Sequence, residues 1–273
     1  TSRITVGLGI VSAVARHPAL LAMELSTLSR VYDGRLIAGI GLGVPAWVRQ
    51  MGLHPPSPLS ALRECVTATK ALLRGETVDV RGQVFSFNDV SLVYPEMGAP
   101  TPVRMGGLGP KMLQLSGEVA DGSVLSVSAS HDYVRWAKQR IDEGRERGER
   151  GDRHPVTLYA IYAVDDDGDA ARASARATLA FYRQNGSNGL TDVYGISEEL
   201  NALVERGGYQ AVLEGMPEKW VEDLTIAGTP EECAAKISAF HAAGADTVAL
   251  FPVATDRIDD IVRLTADSVL PRL

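Results

Sequence analysis

Residues 103–127, VRMGGLGPKMLQLSGEVADGSVLSV, contain the pattern that decides the fold. The short apolar runs at 103–105 and 123–127 are typical of buried strands. Between them, Pro110 begins a stretch of helical periodicity that ends near residue 119, and proline is favoured in the first turn of a helix. A strand, a helix and a second strand in this order predict two parallel strands joined by a crossover helix.

The same alternation continues on both sides of this segment. The predicted strands are 4–10, 36–40, 156–164 and 247–252, and the predicted helices are 18–30, 59–73, 131–148, 169–184, 229–244 and a last one from 258. The strongest helix start is Thr229-Pro230-Glu231-Glu232, a capping box with proline at the first helical position. Six β/α units result. An open doubly wound sheet accommodates six, whereas a (β/α)8 TIM barrel needs two more. Because the chain begins inside a strand pattern, we expect a barrel whose first two units are absent from this chain.

Two segments interrupt the alternation. Residues 76–98 contain two short strand patterns around Arg81-Gly82, which predict a hairpin insertion with strands at 77–80 and 83–87. Residues 185–227 lack a clear period and predict an irregular helical insertion. The expected organisation is therefore a single α/β domain over 1–273 with these two insertions.

Composition excludes several classes of protein. The chain has 273 residues, a net charge of -7 and 45% hydrophobic residues, which is typical of a soluble globular protein. The acidic balance argues against a nucleic-acid partner, and no apolar run approaches the ~20 residues that a membrane helix needs. Two cysteines, Cys65 and Cys233, are too few for a disulfide framework and favour a cytoplasmic location. The histidines lack metal-ligand spacing, and the acidic run 165–169 fits a helix cap better than a calcium loop, so no metal site is predicted.

The loop from Gly106 to Lys111 is the clearest candidate for a binding site. Its glycines free backbone N–H groups between a strand and a helix that begins at Pro110, and helix N-termini favour anions. Lys111 adds positive charge where a helix disfavours it, so we expect a bound phosphate group to compensate it. The alternative is a glycine-rich turn with an exposed lysine.

A second glycine cluster, GIGLG at 39–43, follows another strand. It is incomplete as a dinucleotide-binding fingerprint, because Val44 occupies the position of the last glycine. Two interpretations stay open: the glycines let the backbone pack closely at a strand end, or they let a planar ligand approach it. His17, just after the first strand, is the one candidate for a catalytic side chain in the pocket.

Four motifs in this order resemble luciferase-like flavin- and coenzyme F420-dependent oxidoreductases, in particular the methylenetetrahydromethanopterin reductase-like branch. They are ITVGLGIVS with RHPALLA (4–22), DGRL with GIGLG (33–43), GGLGPKMLQLSGEVADG (106–122) and AGTPEE with GAD (227–246). The resemblance implies a barrel with an insertion, usually dimeric, that holds a flavin or deazaflavin at the carboxyl ends of its strands.

The resemblance also implies which residues contact the cofactor. In the family a strand-end bulge, often with a non-prolyl cis peptide bond, lies behind the tricyclic ring, and here that bond is expected between Gly9 and Ile10. The family's phosphate loop maps to the loop already predicted from the residues. The expected cofactor contacts are Gly9, Ile10, Val11, Ser12, Gly41, Gly43, Gly106, Gly107, Leu108, Gly109, Pro110 and Lys111.

The function that follows is F420-dependent hydride transfer to or from a small organic substrate, with the cofactor at the carboxyl ends of the strands. The alternative is an FMN-dependent luciferase-like monooxygenase, and a further alternative is a non-catalytic or truncated ligand-binding relative. A homodimer without a membrane or nucleic-acid partner is expected. Candidates to receive the anionic tail of F420 are Arg16, Arg49, Arg104 and Lys111.

Overall fold

The computed structural model describes residues 2–273, with alternating strands and helices. The strands are β1 (Val6–Gly7), β2 (Val11–Ser12), β3 (Leu36–Gly41), β4 (Val78–Arg81), β5 (Ser86–Val90), β6 (Val103–Gly106), β7 (Gly122–Leu125), β8 (Val156–Val164), β9 (Ile226–Gly228) and β10 (Thr247–Pro252). The helices are α1 (Pro18–Val31), α2 (Pro45–Gln50), α3 (Pro58–Leu73), α4 (Pro110–Val119), α5 (His131–Arg147), α6 (Gly168–Arg183), α7 (Gly189–Tyr194), α8 (Ser197–Gly215), α9 (Glu218–Leu224), α10 (Pro230–Ala243) and α11 (Ile258–Leu264).

The chain divides into two compact units. The first comprises the residues up to 124 together with 140–154, and the second comprises 125–139 and 155–273. The organisation as one domain over 1–273 stays a prediction.

In the first unit, parallel strands carry the candidate site. β1 and β2 both pair with β3, β3 pairs with β6, and β6 pairs with β7, all in parallel. Helices α1 and α3 pack on this sheet, and α4 connects β6 to β7, as the crossover pattern predicts. Their apolar faces form a core around Leu21, Leu25, Leu62, Val66 and Met105.

The first predicted strand, 4–10, is wrong as a continuous element. It divides into β1 and β2, and a cis peptide bond joins Gly9 to Ile10, which confirms the bond expected there. From Gly7 to Val11 this strand advances four residues, while its partner advances three, from Ile37 to Ile40. One extra residue opposite β3 is a bulge. The notably apolar sequence at 4–10 predicts a strand buried on both faces, whereas β1, which pairs with β3, is exposed.

Helix α1 confirms a predicted start but corrects a predicted face, because the leucine spacing predicts Leu20, Leu21, Leu25 and Leu28 on one face. It begins at Pro18, and the ring Nδ1 of His17 accepts a hydrogen bond from the Ala19 N–H, which caps the helix. Leu21 and Leu25 are buried as expected, whereas Leu20 and Leu28 are exposed. The buried face follows the Leu21–Leu25 spacing of four residues, so that Leu20 is rotated away from the sheet.

The hairpin insertion is confirmed by antiparallel pairing of β4 with β5, although the second strand lies at 86–90 and not at 83–87. The displacement has a cause in α3. One carboxylate oxygen of Glu64 accepts the N–H of Gln83, and the other accepts those of Val84 and Phe85. These three residues therefore form a turn fixed to α3 and cannot pair as a strand.

In the second unit, β8 pairs in parallel with both β10 and β9. β9 is absent from the predicted elements because three residues, Ile226–Gly228, carry too little periodicity to recognise. The predicted irregular insertion is largely helical, with α7, α8 and α9 between residues 189 and 224. The capping box at Thr229 is confirmed, since its side chain accepts the Glu232 N–H and the Glu232 carboxylate accepts the Thr229 N–H.

Each unit fixes the amino ends of its strands with the same device. Asp121, just before β7, accepts the N–H of Val103, the first residue of β6. In the second unit Asp246, just before β10, accepts the N–H of Val156, the first residue of β8. The aspartates of the motifs ADG and GAD thus pair neighbouring strands at their amino ends.

Two composition-based expectations can be compared with the structure. Cys65 and Cys233 are both buried free thiols, and burial raises the pKa of each to about 12. Among residues 2–273, no helix is both long and apolar enough to cross a membrane. The cytoplasmic location stays a prediction.

Candidate functional site

The carboxyl ends of three strands in the first unit bring most of the predicted site residues to one edge. Val11 and Ser12 pair with Ile40 and Gly41, and β3 in turn pairs with β6, which ends at Gly106. The loop that follows Gly106 therefore lies at the carboxyl ends of parallel strands, where β/α proteins bind their ligands. We call this edge the carboxyl edge.

Three glycines on β3 and β6 make room for the side chain of Ile10. A Cβ atom on Gly41 would overlap Ile10 Cδ1, and one on Gly106 would lie 3.3 Å from Ile10 Cγ2. A Cβ atom on Gly39 would overlap the backbone oxygen of Leu8. We call Gly39, Gly41 and Gly106 the glycine platform. The close-packing interpretation of this cluster therefore holds at Gly39 and Gly41.

Ser12 ends β2, and Gly43 lies two residues beyond the end of β3. The Ser12 hydroxyl donates to the carbonyl of Leu42 at 2.8 Å, so it fastens β2 to the end of β3. Gly43 has φ +85°, in the left-handed region that favours glycine, and a Cβ atom there would lie 3.5 Å from Ser12 Cβ. Both residues lie at the carboxyl edge, as the sequence predicts.

The predicted phosphate loop leads directly into α4. Gly109 is the N-cap of the helix, it has no side chain with which to cap it, and a Cβ atom there would meet nothing within 4 Å. Gly107 differs, because a Cβ atom there would lie 2.7 Å from Met112 Cβ. Lys111 is exposed in the first turn. The loop therefore presents an uncapped helix start, an open space and a positive charge at one place.

His17 lies just beyond this edge, and both of its ring nitrogens have structural partners. Nδ1 accepts from the Ala19 N–H at 3.2 Å, which makes Nε2 the protonated nitrogen, and Nε2 lies 3.2 Å from the carbonyl oxygen of Ser86. The ring also packs against Phe85 and Phe87, with centroids 5.7 and 4.7 Å away. These contacts join α1 to the hairpin, and a proton-transfer role would require one of them to open.

The other cations proposed for an anionic tail differ in their surroundings. Arg16 forms an ion pair with Glu24, whereas Arg49 is exposed on α2. Arg104 is half-buried on β6, next to Met105. Lys111 is therefore the one of these four that lies in the first turn of the helix that follows the glycine loop.

Two features of this unit escaped sequence analysis. The short helix α2 begins at Pro45, directly after Gly43, where no helix is predicted. The Glu64 carboxylate that fixes the hairpin turn has no sequence signal either, because its three N–H partners lie 19–21 residues further along the chain. The proline of α2 is the one local signal that could have revealed the helix.

Comparison with known proteins decides the family. The luciferase-like monooxygenase family model matches residues 1–247. The chain belongs to this family. That confirms the resemblance found in the sequence motifs.

Individual relatives and solved structures show which members of the family this chain resembles. The chain is 30% identical to a 5,10-methylenetetrahydromethanopterin reductase of Archaeoglobus fulgidus, over 100% of this chain and 84% of that protein. It is 25% identical to an F420-dependent glucose-6-phosphate dehydrogenase of Nakamurella multipartita, over 100% of this chain and 78% of that protein. The structure of the coenzyme F420-dependent tetrahydromethanopterin reductase of Methanopyrus kandleri aligns with a TM-score of 0.85 and 25% identity, over 99% of this chain and 84% of that one. This match confirms the predicted fold class, the α/β barrel of luciferase-like proteins.

Proposed function

We propose that this chain binds coenzyme F420 at the carboxyl edge and catalyses hydride transfer to or from a small organic substrate. The observation that carries the proposal is the start of α4, where Gly109 leaves the helix without a side-chain cap and with open space before it. The names of the two relatives, a reductase and an F420-dependent dehydrogenase, support this choice of cofactor.

The residues at this edge fit an anionic cofactor with a planar ring. The backbone N–H of Lys111 and the glycine loop would hold the phosphate, since the helix dipole favours an anion at the start of α4. Lys111 would add charge. The bulge that carries Ile10 would contact one side of the ring, and the glycine platform would support the Ile10 side chain from below. F420 supplies the hydride chemistry, while the protein orients the ring and excludes water and oxygen.

The alternative is an FMN-dependent monooxygenase, and the family description favours keeping it. FMN also carries a phosphate on a ribityl chain, so the same loop would hold it. The further alternative, a relative without catalysis, predicts binding of neither cofactor.

Equilibrium binding tests these alternatives directly. F420 and FMN are titrated separately into the chain, and dissociation constants are measured by fluorescence or calorimetry. We expect tighter binding of F420 than of FMN. Tighter binding of FMN would replace hydride transfer by oxygen chemistry, which an oxygen-consumption assay with a flavin reductase would then follow. If neither cofactor binds, the proposal is wrong.

We also propose that the chain forms a homodimer. One side of α1 presents Leu20, Met23 and Val31 to solvent, and their spacing of three and eight residues places them along one stripe. Exposed apolar stripes of this kind mark interaction surfaces. Light scattering after size-exclusion chromatography measures the mass, and Met23→Glu should convert a dimer into a monomer. A monomeric wild-type chain at micromolar concentration would contradict the proposal.

A further inference from the structure

Helix α2 is anchored at the carboxyl edge by one buried side chain. Val48 is 3% exposed, and its Cγ2 atom would lie 3.6 Å from a Cβ atom on Gly43. The same Cβ atom would lie 3.5 Å from the hydroxyl oxygen of Ser12. The helix is therefore held against the last residue of β2 and the turn that follows β3.

Next to this anchor, α2 presents large apolar side chains to solvent. Trp47 is 59% exposed and Met51, the residue after the helix, is 56% exposed. At about 100° per residue, Trp47 and Met51 point about 100° and 60° to one side of the Val48 direction. Arg49 points about 100° to the other side. Trp47 and Met51 therefore lie on the same side of the helix, and we call this surface the α2 apolar face. The Arg49 side chain lies outside it.

Leaving this face in water is unfavourable unless something covers it. A tryptophan side chain buries about 150–250 Å² when it is enclosed, and it supplies a rigid ring on which a flat molecule can stack. Clustered apolar groups that stay exposed are typical of ligand-binding grooves and interaction sites. The segment continues directly from Gly43, so what covers it would also contact the carboxyl edge.

We infer that the α2 apolar face binds the organic substrate, and that this substrate is planar, uncharged and largely apolar, with Trp47 as the residue that determines specificity. The inference rests on the proposed function, because it places a hydride donor or acceptor beside the cofactor edge. A sugar phosphate requires cationic partners, and the cation of α2, Arg49, lies on the other side of the helix. The α2 apolar face suits an aromatic ketone or quinone instead.

The test uses 9-fluorenone, a flat uncharged ketone, as the probe, and glucose 6-phosphate as the charged comparison. The dissociation constant of F420 is measured first, and those of both probes are then measured on the F420-loaded chain by calorimetry. The variants are Trp47→Ala, Trp47→Phe and the control Tyr94→Ala. Tyr94 is also an exposed aromatic residue, but it follows the hairpin and contacts Ser26 and Arg30 of α1. Acrylamide quenching of tryptophan fluorescence gives an independent measure of whether the probe covers Trp47.

We expect Trp47→Ala to weaken fluorenone binding at least ~10-fold, as for an aromatic anchor at the centre of an interface. Trp47→Phe should keep the affinity within about threefold, because it retains a ring for stacking. Tyr94→Ala should leave it unchanged, and no variant should alter the F420 dissociation constant by more than about twofold. Fluorenone should also protect wild-type tryptophan fluorescence from quenching, and protect that of Trp47→Ala less.

Several results would overturn the inference. They are equal fluorenone affinity of wild type and Trp47→Ala, no fluorenone binding to the wild-type chain, or preference for glucose 6-phosphate. An equal loss of F420 and fluorenone binding in Trp47→Ala would make Trp47 a cofactor contact instead. If F420 fails to bind the wild type, the proposed function fails by itself, and fluorenone binding to the unloaded chain and its variants then decides the role of Trp47.

Discussion

The two ends of the parallel strands in the first unit differ in how their polar groups are paired. At the amino ends, the Asp121 carboxylate accepts hydrogen bonds from Lys70 at 2.5 Å, from Arg150 at 3.2 Å and from the Val103 N–H at 3.0 Å. We call these four residues the ionic cluster. At the carboxyl ends, the start of α4 has no side-chain cap at all.

This difference separates residues that stabilise the fold from residues available to a ligand. The ionic cluster satisfies charges and backbone donors within the chain, and removing one member of such a cluster is destabilising because it leaves a partly buried charge without a partner. The carboxyl edge combines a tightly packed part, the glycine platform, with an open part, Gly109 and Lys111. Substitutions at the platform and the cluster should therefore change stability, whereas substitutions at the open part should change binding.

The largest effect is expected at the glycine platform. Gly39→Ala would place a methyl group on the backbone oxygen of Leu8, which cannot move without breaking the hydrogen bond from the Leu8 N–H to Ile37. We expect a loss of about 3 kcal/mol or more in the free energy of unfolding, measured by urea denaturation. Gly7→Ala is the control, since a methyl group there meets nothing within 4 Å. Equal stability of the two variants would contradict the tight packing.

Gly41→Ala tests the same platform through a flexible partner. The new methyl group would overlap Ile10 Cδ1, and Ile10→Val removes that atom. We expect Gly41→Ala alone to cost about 1–3 kcal/mol, and the double variant to recover part of the loss. A double-mutant cycle measured by urea denaturation gives the coupling, and strictly additive effects would contradict the contact.

Gly109→Asp should separate stability from binding. The backbone of Gly109, with φ −89° and ψ 163°, suits an N-cap aspartate, so α4 should become slightly more stable. The same carboxylate would occupy and repel the proposed phosphate position, and we expect F420 binding to weaken about 100-fold, which corresponds to about 2.7 kcal/mol.

The matched control for this position is Gly109→Ser, which caps the helix without adding charge. Its F420 affinity should fall less than that of Gly109→Asp, and its melting temperature should rise similarly. Unchanged F420 binding in Gly109→Asp would show that this loop does not hold the phosphate, even if the cofactor binds elsewhere in the chain.

In the ionic cluster the expected effect is on stability alone. Asp121→Asn leaves Lys70 and Arg150 without their shared carboxylate, and both are partly buried. We expect a loss of about 2 kcal/mol in the free energy of unfolding and an F420 dissociation constant within about twofold of wild type. Asp132→Asn, which removes an exposed pair with Arg135, should cost at most about 0.5 kcal/mol. A large change in cofactor affinity in Asp121→Asn would contradict the view that the amino ends of the strands affect stability and not binding.

The smallest expected effect is the pH dependence of the stabilisation by Asp152, which pairs with Arg150 of the ionic cluster. Hydrogen bonds from the Arg150 guanidinium lower the pKa of Asp152 to about 2. Because the folded-state pKa is lowered, the pair stabilises the protein above the usual aspartate pKa of about 3.9, and this stabilisation is lost as the pH falls towards 2. The carboxylate is largely exposed, so the expected contribution is below about 1 kcal/mol.

Urea denaturation of the wild type and Asp152→Asn at several pH values measures how much the Arg150–Asp152 pair stabilises the protein at each pH. The difference in unfolding free energy should be constant from pH 7 to 5 and should narrow by pH 3. A difference that grows on acidification would have the wrong sign for a lowered pKa.

The sequence by itself determined features that depend on near neighbours. Helix starts at Pro18, Pro110 and Pro230 are found where they are predicted, because the preference for proline at the first helical position acts within one turn. The bulge with its Gly9–Ile10 bond and the family were also recognisable, because contiguous motifs carry them.

Tertiary structure alone decided how these elements meet. The Ile10 side chain lies over Gly41 and Gly106, which are 31 and 96 residues away in the chain, and Glu64 fixes a turn about 20 residues further on. The α2 apolar face is defined by which side of a six-residue helix Val48 anchors, and so short a segment carries no readable period. A helix start depends on residues within one turn, so the sequence reveals it. The space beside a glycine and the exposed face of a helix depend on residues far away in the chain, so a short stretch of sequence does not reveal them.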